Sequence, residues 1–165
     1  MTPDELRARA ARVRLLVLDV DGVLTDGRIY LPASGDEIKV FDVRDGLGLG
    51  AVQRAGIEIA IISGRSAAAV DRRAQELGIR HVAQGVRDKG AELTRLLGLL
   101  GEEASACACI GDDVADLPML ERAGLSIAVA DAHADVLRMV DWVTSRPGGR
   151  GAVREACDLL LSARR

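Results

Sequence analysis

Short apolar runs of strand length alternate along the chain with longer stretches in which apolar and polar positions mix. Most of these runs show no alternation, which is typical of strands buried on both faces of a parallel sheet. Strands are predicted at about 14–20, 57–62, 79–83, 106–110, 126–130 and 141–143. Helices are predicted at about 3–12, 46–55, 66–77, 89–100, 115–123, 133–139 and 152–163, with Thr2, Ser66 and Asp88 as N-caps. The pattern predicts one α/β domain over 1–165, with a doubly wound parallel sheet.

Two strand-like runs, Arg28–Leu31 and Ile38–Phe41, flank a segment of turn residues, Pro32–Glu37. This order predicts a β-hairpin at about 28–41. Because an isolated hairpin is marginal in water, the hairpin is expected to pack either against another subunit or against its own domain. A glycine-rich stretch, Gly148–Gly151, opens a C-terminal tail at about 146–165.

Composition excludes several classes of partner. Hydrophobic residues make up 48% of the 165 residues and aromatic residues only 2%, so an aliphatic core is expected and aromatic stacking on nucleic acid is not. The net charge of -3 gives no support for binding to a phosphate backbone. No apolar run approaches the roughly 20 residues of a membrane span. Three cysteines, Cys107, Cys109 and Cys157, are expected to be buried thiols, and the protein is expected to be cytoplasmic.

The first apolar run ends in two acids one residue apart, Asp19 and Asp21, and Gly22 follows them. Two carboxylates that converge at the end of a buried strand repel each other and are costly to desolvate. A hard cation such as Mg²⁺ would relieve this, because it prefers oxygen ligands. A strand followed by an ordinary acidic turn is the alternative for this motif alone.

Further polar residues follow other strands. Ser63 comes after the run at 57–62, Lys89 begins a helix after the run at 79–83, and Asp112 and Asp113 follow the run at 106–110. The carboxyl ends of parallel strands meet at one edge of the sheet, so these side chains are expected to converge. Acids for a metal, a hydroxyl and a lysine together are typical of a phosphoryl-transfer site.

These motifs, in this order, resemble the haloacid dehalogenase-like phosphatases. The resemblance rests on Asp19–Val23, Ser63, Lys89 and Gly111–Asp116, and it spans almost the whole chain. It implies that Asp19 is the nucleophile, which forms an aspartyl phosphate, and that Asp21 is the general acid and base. It also implies that Ser63 and Lys89 hold the phosphate.

The resemblance further implies an Mg²⁺ site formed by the Asp19 carboxylate, the Asp21 carbonyl and Asp112. Asp113 and Asp116 are expected to support these ligands from behind. For Asp116, an ordinary acid at a helix start is an alternative, because the first turn of a helix favours negative charge.

The segment between Asp21 and Ser63 has room only for the hairpin and one helix, which resembles the subgroup of the family without a cap domain. Members of that subgroup that act on a phosphorylated eight-carbon keto-sugar acid share the runs 19–27, 43–46 and 148–155. They are homotetramers in which hairpins form a central barrel and C-terminal tails reach a neighbour's site. The candidate sugar-acid contacts are then Arg44, Asp45, Gly46, Arg65 and Arg73. For Arg73, the alternative is an ordinary helix arginine that is exposed to solvent and binds no ligand.

Two other functions stay open at this level, and the order of the motifs disfavours a third. A phosphatase for a nine-carbon, sialic-type keto-sugar acid phosphate would share the chemistry and differ only in the sugar contacts. A catalytically silent assembly domain would share the fold. A response-regulator receiver uses similar residues in a different order, because its paired acids come first, its phosphorylated Asp follows a middle strand and its lysine comes last.

Overall fold

The computed structural model describes residues 1–164. Its centre is a six-stranded sheet in which every neighbouring pair is parallel, in the order β3-β2-β1-β4-β5-β6. The strands are β1 Leu15–Leu18, β2 Glu58–Ile62, β3 His81–Ala83, β4 Cys107–Gly111, β5 Leu125–Ala128 and β6 Trp142–Val143. The predicted doubly wound parallel sheet is therefore confirmed, and no cap domain follows β1 or β2 in the part of the chain that the structure describes.

Seven α-helices connect and cover these strands within the described residues. They are α1 Pro3–Arg12, α2 Val43–Arg54, α3 Ala68–Glu76, α4 Lys89–Leu100, α5 Leu117–Leu120, α6 Ala134–Met139 and α7 Ala152–Ser162. Parallel crossovers are right-handed, so the reversal of strand order after β3 puts the helices on both faces of the sheet. The reversal also leaves a crevice between the carboxyl ends of β1 and β4, where ligands bind in such sheets. No helix in residues 1–164 is long and apolar enough to cross a bilayer.

The core is aliphatic, as the composition predicts. All four residues of β1 and all five of β4 are buried, and the largest fully buried side chains are leucine, isoleucine and methionine. The three cysteines are buried and free, which agrees with the prediction of buried thiols.

Two helix starts differ from the prediction. Ser66 does not cap α3. The N-cap is Ala67, which provides no side-chain cap, and its N–H donates to the Gln84 side chain. The helix predicted at 115–123 is a 3₁₀ turn, Val114–Asp116, followed by the short α5. Asp113 caps this turn by accepting from the Val114 N–H at 2.7 Å, which ties the segment to the end of β4. Thr2 caps α1 as predicted, in a capping box with Glu5.

The hairpin predicted at 28–41 is reduced to a ribbon with a single antiparallel bridge, between Tyr30 and Ile38. Neither predicted strand forms, and the Ile38 N–H to Tyr30 carbonyl bond, at 2.9 Å, is the cross-ribbon backbone bond. The ribbon exposes large apolar side chains, with Leu31 at 74% and Val40 at 54% exposure. A two-stranded ribbon that buries so little has little to hold its strands in register.

The C-terminal helix α7 packs along α2, and one buried acid joins the two helices. Gly151, the N-cap of α7, has no side chain to cap the helix, and Asp45 of α2 takes this role. Its Oδ1 accepts from the Arg154 N–H at 2.8 Å, whereas its Oδ2 has no hydrogen-bond partner among residues 1–164. Burial raises the pKa of Asp45 to about 6, although the bond from Arg154 opposes this shift.

Asp45 should therefore make stability depend on pH. Its pKa is higher in the folded chain than the ordinary 3.8, so folding favours the protonated form, and this contribution is lost as pH rises through about 6. Asp45→Asn keeps the acceptor and cannot ionise. Urea denaturation gives the unfolding free energy of the variant and of the parent. As pH rises from about 4 to about 8, the difference between the two should increase by about 1–3 kcal/mol in favour of the variant.

The matched control is Asp158→Asn, which removes an acid from the exposed face of the same helix α7. This variant should keep a constant offset from the parent over that pH range. A constant offset for Asp45→Asn as well would mean that folding does not raise the pKa of Asp45.

Candidate active site

Three acids meet in the crevice between β1 and β4. Asp19 follows β1, and its N–H donates to the Ile110 carbonyl of β4 at 3.1 Å. Asp112 follows β4, and Asp116 ends the 3₁₀ turn that comes next. Each of these acids offers one carboxylate oxygen to a cluster in which all the oxygens lie within 4.8 Å of one another. Of the acids that the sequence predicts at this sheet edge, Asp19 and Asp112 lie in the cluster and Asp113 does not.

Lys89 joins the cluster from the first residue of α4. Its Nζ lies 2.5 Å from Asp19 Oδ1 and 2.5 Å from Asp116 Oδ1, and its side chain is only 5% exposed. Burial lowers the pKa of this lysine, but the two carboxylates outweigh burial and the pKa is raised. Lys89 is therefore a fixed positive charge at the base of the crevice.

Asp116 organises the loop that carries Asp112. Its Oδ2 accepts from the backbone N–H groups of Asp112 and Asp113, at 2.9 and 3.1 Å. A Cβ on Gly111 would lie 2.6 Å from the Asp116 Cβ, so glycine lets the acid fold under the loop. Asp113 itself is exposed and bonds to the turn. Both oxygens of Asp116 are thus used in holding Lys89 and the loop.

The cluster has more negative than positive charge. Burial and the neighbouring Asp116 raise the pKa of Asp19 to about 6, and Lys89 lowers it only in part. Burial and the carboxylates of Asp19 and Asp116 raise the pKa of Asp112 to about 8. Clustered carboxylate oxygens that one ammonium group does not balance fit a hard divalent cation, which takes oxygen ligands. Asp19 and Asp112 are the two acids that could hold it directly.

The loop 19–27 brings its backbone close to this cluster. Gly22 has a φ of +93°, and a Cβ there would overlap the Asp112 carboxylate. The buried Thr25 hydroxyl accepts from the N–H of Gly27 at 3.2 Å and holds the loop closed. A side chain at position 22 would therefore strain the loop and displace Asp112.

The glycine-rich stretch 148–151 packs on this same loop of its own chain. The Gly149 N–H donates to the Val23 carbonyl at 2.9 Å, and a Cβ on Gly148 would overlap the Gly22 carbonyl. The Gly148 N–H donates to Asp131 at 2.9 Å. The start of the predicted tail thus supports the chain's own 19–27 loop, and the contact of the tail with a neighbour's site stays a prediction.

Asp21 lies in a different environment from Asp19. Its Oδ1 lies 2.5 Å from Lys39 Nζ, and its Oδ2 lies 3.9 Å from Arg65 Nε. Its side chain is 22% exposed, compared with 8% for Asp19. Asp19 therefore faces Lys89 and the acid cluster, whereas Asp21 faces Lys39 of the ribbon and Arg65.

Sequence reasoning missed Lys39. It stands in no recognised motif, and the pattern of its segment predicts only a hairpin strand. One signal was available: lysine occurs at only two positions, Lys39 and Lys89, in a chain with 22 basic residues. Both lysines prove to contact the Asp19–Asp21 pair.

Ser63 and Arg65 lie at the end of β2, on the same sheet edge. Ser63 is buried, and its N–H donates to the Ala83 carbonyl at 2.8 Å. Arg65 Nη2 donates to Glu37 Oε2 at 2.8 Å, which places its guanidinium beside the ribbon. Arg65 is therefore the sugar-contact candidate that the structure brings to the acid pair.

The other sugar-contact candidates lie further away in the fold. Arg44 donates to Asp42 and to the Arg150 carbonyl, next to Asp45 at the start of α2. Arg73 pairs with Glu76 at 2.7 Å and lies over Phe41, 5.8 Å from the ring centroid. A Cβ on Gly46 would lie 2.5 Å from Arg73 Nη2, so Gly46 makes room for this arginine. Among residues 1–164, no hydrogen bond or ion pair joins these residues to the acid cluster.

A groove of about 540 Å³ runs between the ribbon and α3, and Lys39, Arg72 and Arg73 are among the residues that line it. Three acids, Asp36, Glu37 and Glu76, line it as well, so the charges of its lining balance.

Comparisons with known proteins agree with this geometry. The family of haloacid dehalogenase-like hydrolases matches residues 81–154. The 3-deoxy-D-manno-octulosonate 8-phosphate phosphatase KdsC of Escherichia coli (strain B / BL21-DE3) is 49% identical over 159 residues, which is 96% of this chain and 85% of that protein.

Two solved structures share the fold. The 3-deoxy-D-manno-octulosonate 8-phosphate phosphatase of Moraxella catarrhalis, in complex with magnesium ion, phosphate ion and a KDO molecule, has a TM-score of 0.97 and 47% identity, over 99% of this chain and 94% of that chain. The cobalt-bound deoxy-D-mannose-octulosonate 8-phosphate phosphatase of Haemophilus influenzae has a TM-score of 0.92 and 42% identity, over 94% and 91%. With these relatives, this sheet and this acid cluster, the chain belongs to the haloacid dehalogenase-like phosphatases and is a phosphoric monoester hydrolase.

Proposed function

We propose that the protein hydrolyses 3-deoxy-D-manno-octulosonate 8-phosphate to the free sugar acid and phosphate, with Mg²⁺ as cofactor and Asp19 as nucleophile. The proposed mechanism rests on the different environments of the two acids, Asp19 and Asp21. Asp19 is buried against Lys89 and Asp112, whereas Asp21 is half-buried beside Lys39. Two carboxyl groups in different environments can serve two different roles.

In the first half of the reaction, the Asp19 carboxylate attacks phosphorus and forms an aspartyl phosphate. The bond from phosphorus to the alcohol oxygen breaks, and Asp21 donates its proton to that oxygen. Lys89, the Ser63 hydroxyl and the backbone N–H groups of the 19–27 loop stabilise the phosphoryl oxygens. Lys89 is pre-organised for this role, since Asp19 and Asp116 fix its ammonium group at 2.5 Å each.

In the second half, water attacks phosphorus of the aspartyl phosphate. Asp21, which is now a carboxylate, accepts the proton of this water, and the Asp19 carboxylate and inorganic phosphate are released. Asp21 thus returns to its starting state, and no other reactant is needed.

The acid cluster supports the cofactor proposal. The Asp19 and Asp112 carboxylates and the Asp21 carbonyl would hold Mg²⁺, with Asp113 and Asp116 behind them. When bound, the ion neutralises negative charge on the phosphoryl group and on the carboxylates. A magnesium ion and a cobalt ion, in two relatives of the same fold, support a divalent metal here.

The choice of substrate rests on the relatives and on the cations near Asp21. An arginine fork suits the carboxylate of a sugar acid, and Arg65 lies at the site while Arg73 lies in the adjoining groove. Arg44, Asp45 and Gly46 remain candidate contacts in an assembled protein. The activity would contribute to the synthesis of a lipopolysaccharide precursor, and a cytoplasmic location remains a prediction.

We also propose a homotetramer in which subunits complete each other's sites. The ribbon exposes Ile29, Leu31, Ile38 and Val40, each at 50% or more. Exposed apolar residues concentrated on one segment mark an interaction surface. A second copy of the same ribbon would pair its unpaired backbone and cover this surface.

A substrate panel tests the proposed function. Phosphate release should be fastest with 3-deoxy-D-manno-octulosonate 8-phosphate, and slower by at least about tenfold in kcat/KM with a nine-carbon keto-sugar acid 9-phosphate. The reverse preference would assign the protein to the nine-carbon substrate. Absence of phosphate release from both, in the presence of Mg²⁺, would remove the sugar-acid assignment.

A further inference from the structure

Lysine is rare in this chain and occurs where one acid needs one compact cation. The two lysines, Lys39 and Lys89, stand in a chain with 22 basic residues, and each contacts one member of the Asp19–Asp21 pair. Lysine presents a point charge on a flexible stem, whereas arginine presents a planar fork. The family motifs account for Lys89, but they give no role to Lys39.

The contacts of Lys39 are those of a buried, fully engaged group. Its Nζ lies 2.5 Å from Asp21 Oδ1 and 2.9 Å from Glu37 Oε1, and its side chain is 2% exposed. Burying an ammonium group is costly unless it is paired and hydrogen-bonded. The fold meets this condition by placing the ribbon directly over the loop that carries Asp21.

Glu37 extends this arrangement to the end of β2. Its second oxygen, Oε2, accepts from Arg65 Nη2 at 2.8 Å. Asp21, Lys39, Glu37 and Arg65 thus form a row of alternating charges that joins the 19–27 loop, the ribbon and the loop after β2. Without Lys39, the one ion-pair partner left to Asp21 within residues 1–164 would be Arg65, whose Nε lies 3.9 Å away and whose side chain is 51% exposed.

We propose that Lys39 is the positioning residue for Asp21: it fixes the carboxyl group that exchanges protons with the leaving alcohol and then with water. This inference rests on the proposed function and deepens it. A general acid must lie within about 3 Å of the oxygen it protonates, and a displacement of about 1 Å can reduce the rate by about 100-fold. The ribbon is thereby part of the active site as well as a surface for assembly.

The test compares two substrates in the variant Lys39→Met, which keeps the apolar stem and removes the ammonium group. The sugar-acid 8-phosphate has an alkyl leaving group that needs a proton, whereas p-nitrophenyl phosphate has a leaving group that departs without one. With saturating Mg²⁺, kcat/KM should fall by about 10- to 100-fold for the sugar-acid phosphate and by less than about threefold for the nitrophenyl ester. Equal losses on both substrates would overturn the proposal.

A double-mutant cycle with Asp21→Asn separates positioning from direct substrate contact. If Lys39 acts through Asp21, Lys39→Met should cost less than about threefold in kcat/KM once Asp21 is replaced. A loss of the same size in both backgrounds would show that Lys39 acts on the substrate itself. If Asp21→Asn alone leaves the sugar-acid activity intact, the proposed acid role of Asp21 fails, which is distinct from a failure confined to Lys39.

Two further variants control for charge and folding. Arg28→Met removes one positive charge from the same ribbon at a side chain that is 72% exposed and lies beside Asp26, and it should leave both kcat/KM values within about twofold. The same selective loss in Arg28→Met would overturn the proposal.

If Lys39→Met does not fold, the variant Glu37→Gln takes its place in the test. This substitution removes one partner of Lys39 and leaves every cation in place. Glu37→Gln should lower kcat/KM by about three- to tenfold for the sugar-acid phosphate alone. An equal loss on both substrates would overturn the proposal.

Discussion

Replacing Asp19 by asparagine should abolish turnover, with a fall in kcat of at least about four orders of magnitude. The amide lacks the negative charge that attacks phosphorus, and nothing else in the cluster can take its place. Asp112 faces the proposed metal, and both oxygens of Asp116 are engaged by Lys89 and the loop amides. Phosphate release from the sugar-acid 8-phosphate measures this loss.

The fold should survive Asp19→Asn. Burial and the neighbouring Asp116 raise the pKa of Asp19, so the substitution relieves repulsion in the cluster, and Lys89 keeps its second partner. The thermal midpoint should therefore stay within a few degrees of the parent value. Asp135→Asn, on the exposed side of α6, is the matched control and should keep full activity. Substantial turnover by a folded Asp19→Asn variant would mean that another group accepts the phosphoryl group.

Removing divalent metal should stop the reaction almost completely, by at least about 100-fold in kcat. In the metal-free protein, the carboxyl groups of Asp19 and Asp112 remain crowded in one cluster, and the negative charge of the substrate would be added to theirs. Dialysis against a chelator, followed by the addition of Mg²⁺, should first abolish and then restore phosphate release.

Metal binding also has a readout that does not depend on activity. Because a cation that binds the folded chain stabilises it, Mg²⁺ at about 100 times its Kd should add about 2.7 kcal/mol to the unfolding free energy. Asp112→Asn should lose most of this gain, whereas Asp135→Asn should keep it. Full activity after exhaustive chelation, or an equal Mg²⁺ effect in Asp112→Asn, would contradict the proposed ligand set.

The central fold could be predicted because its signals are local. Apolar runs such as Leu15–Leu18 and Cys107–Gly111 are buried on both faces, and this pattern alone predicts a parallel sheet with helices on both sides. The ribbon could not be predicted in detail, because its strand-like residues depend on a partner for their register, and one bridge is what a single chain forms. Ser66 has the chemistry of a cap, but α3 begins after Ala67 with no side-chain cap, and the Ala67 N–H donates to Gln84, 17 residues along the chain.

The candidate site could also be predicted only in part from the sequence. Asp19, Asp112 and Lys89 each follow a strand or begin a helix at one sheet edge, so topology brings them together. Lys39 and Asp45 required tertiary structure, because their partners are distant: Lys39 is 18 residues from Asp21, and Asp45 is 109 residues from Arg154. No local pattern indicates that Asp45 caps a helix at the other end of the sequence. Its proposed contact with the sugar acid stays a prediction.

Chemical trapping of the phosphorylated enzyme tests the central claim most directly. Enzyme mixed with the sugar-acid 8-phosphate and Mg²⁺ would be quenched in the steady state and reduced with borohydride, which converts an aspartyl phosphate to homoserine. Peptide mass spectrometry should then find homoserine at position 19, and only when substrate is present. An unmodified Asp19 during steady turnover, or a phosphoryl group on any other side chain, would contradict the account.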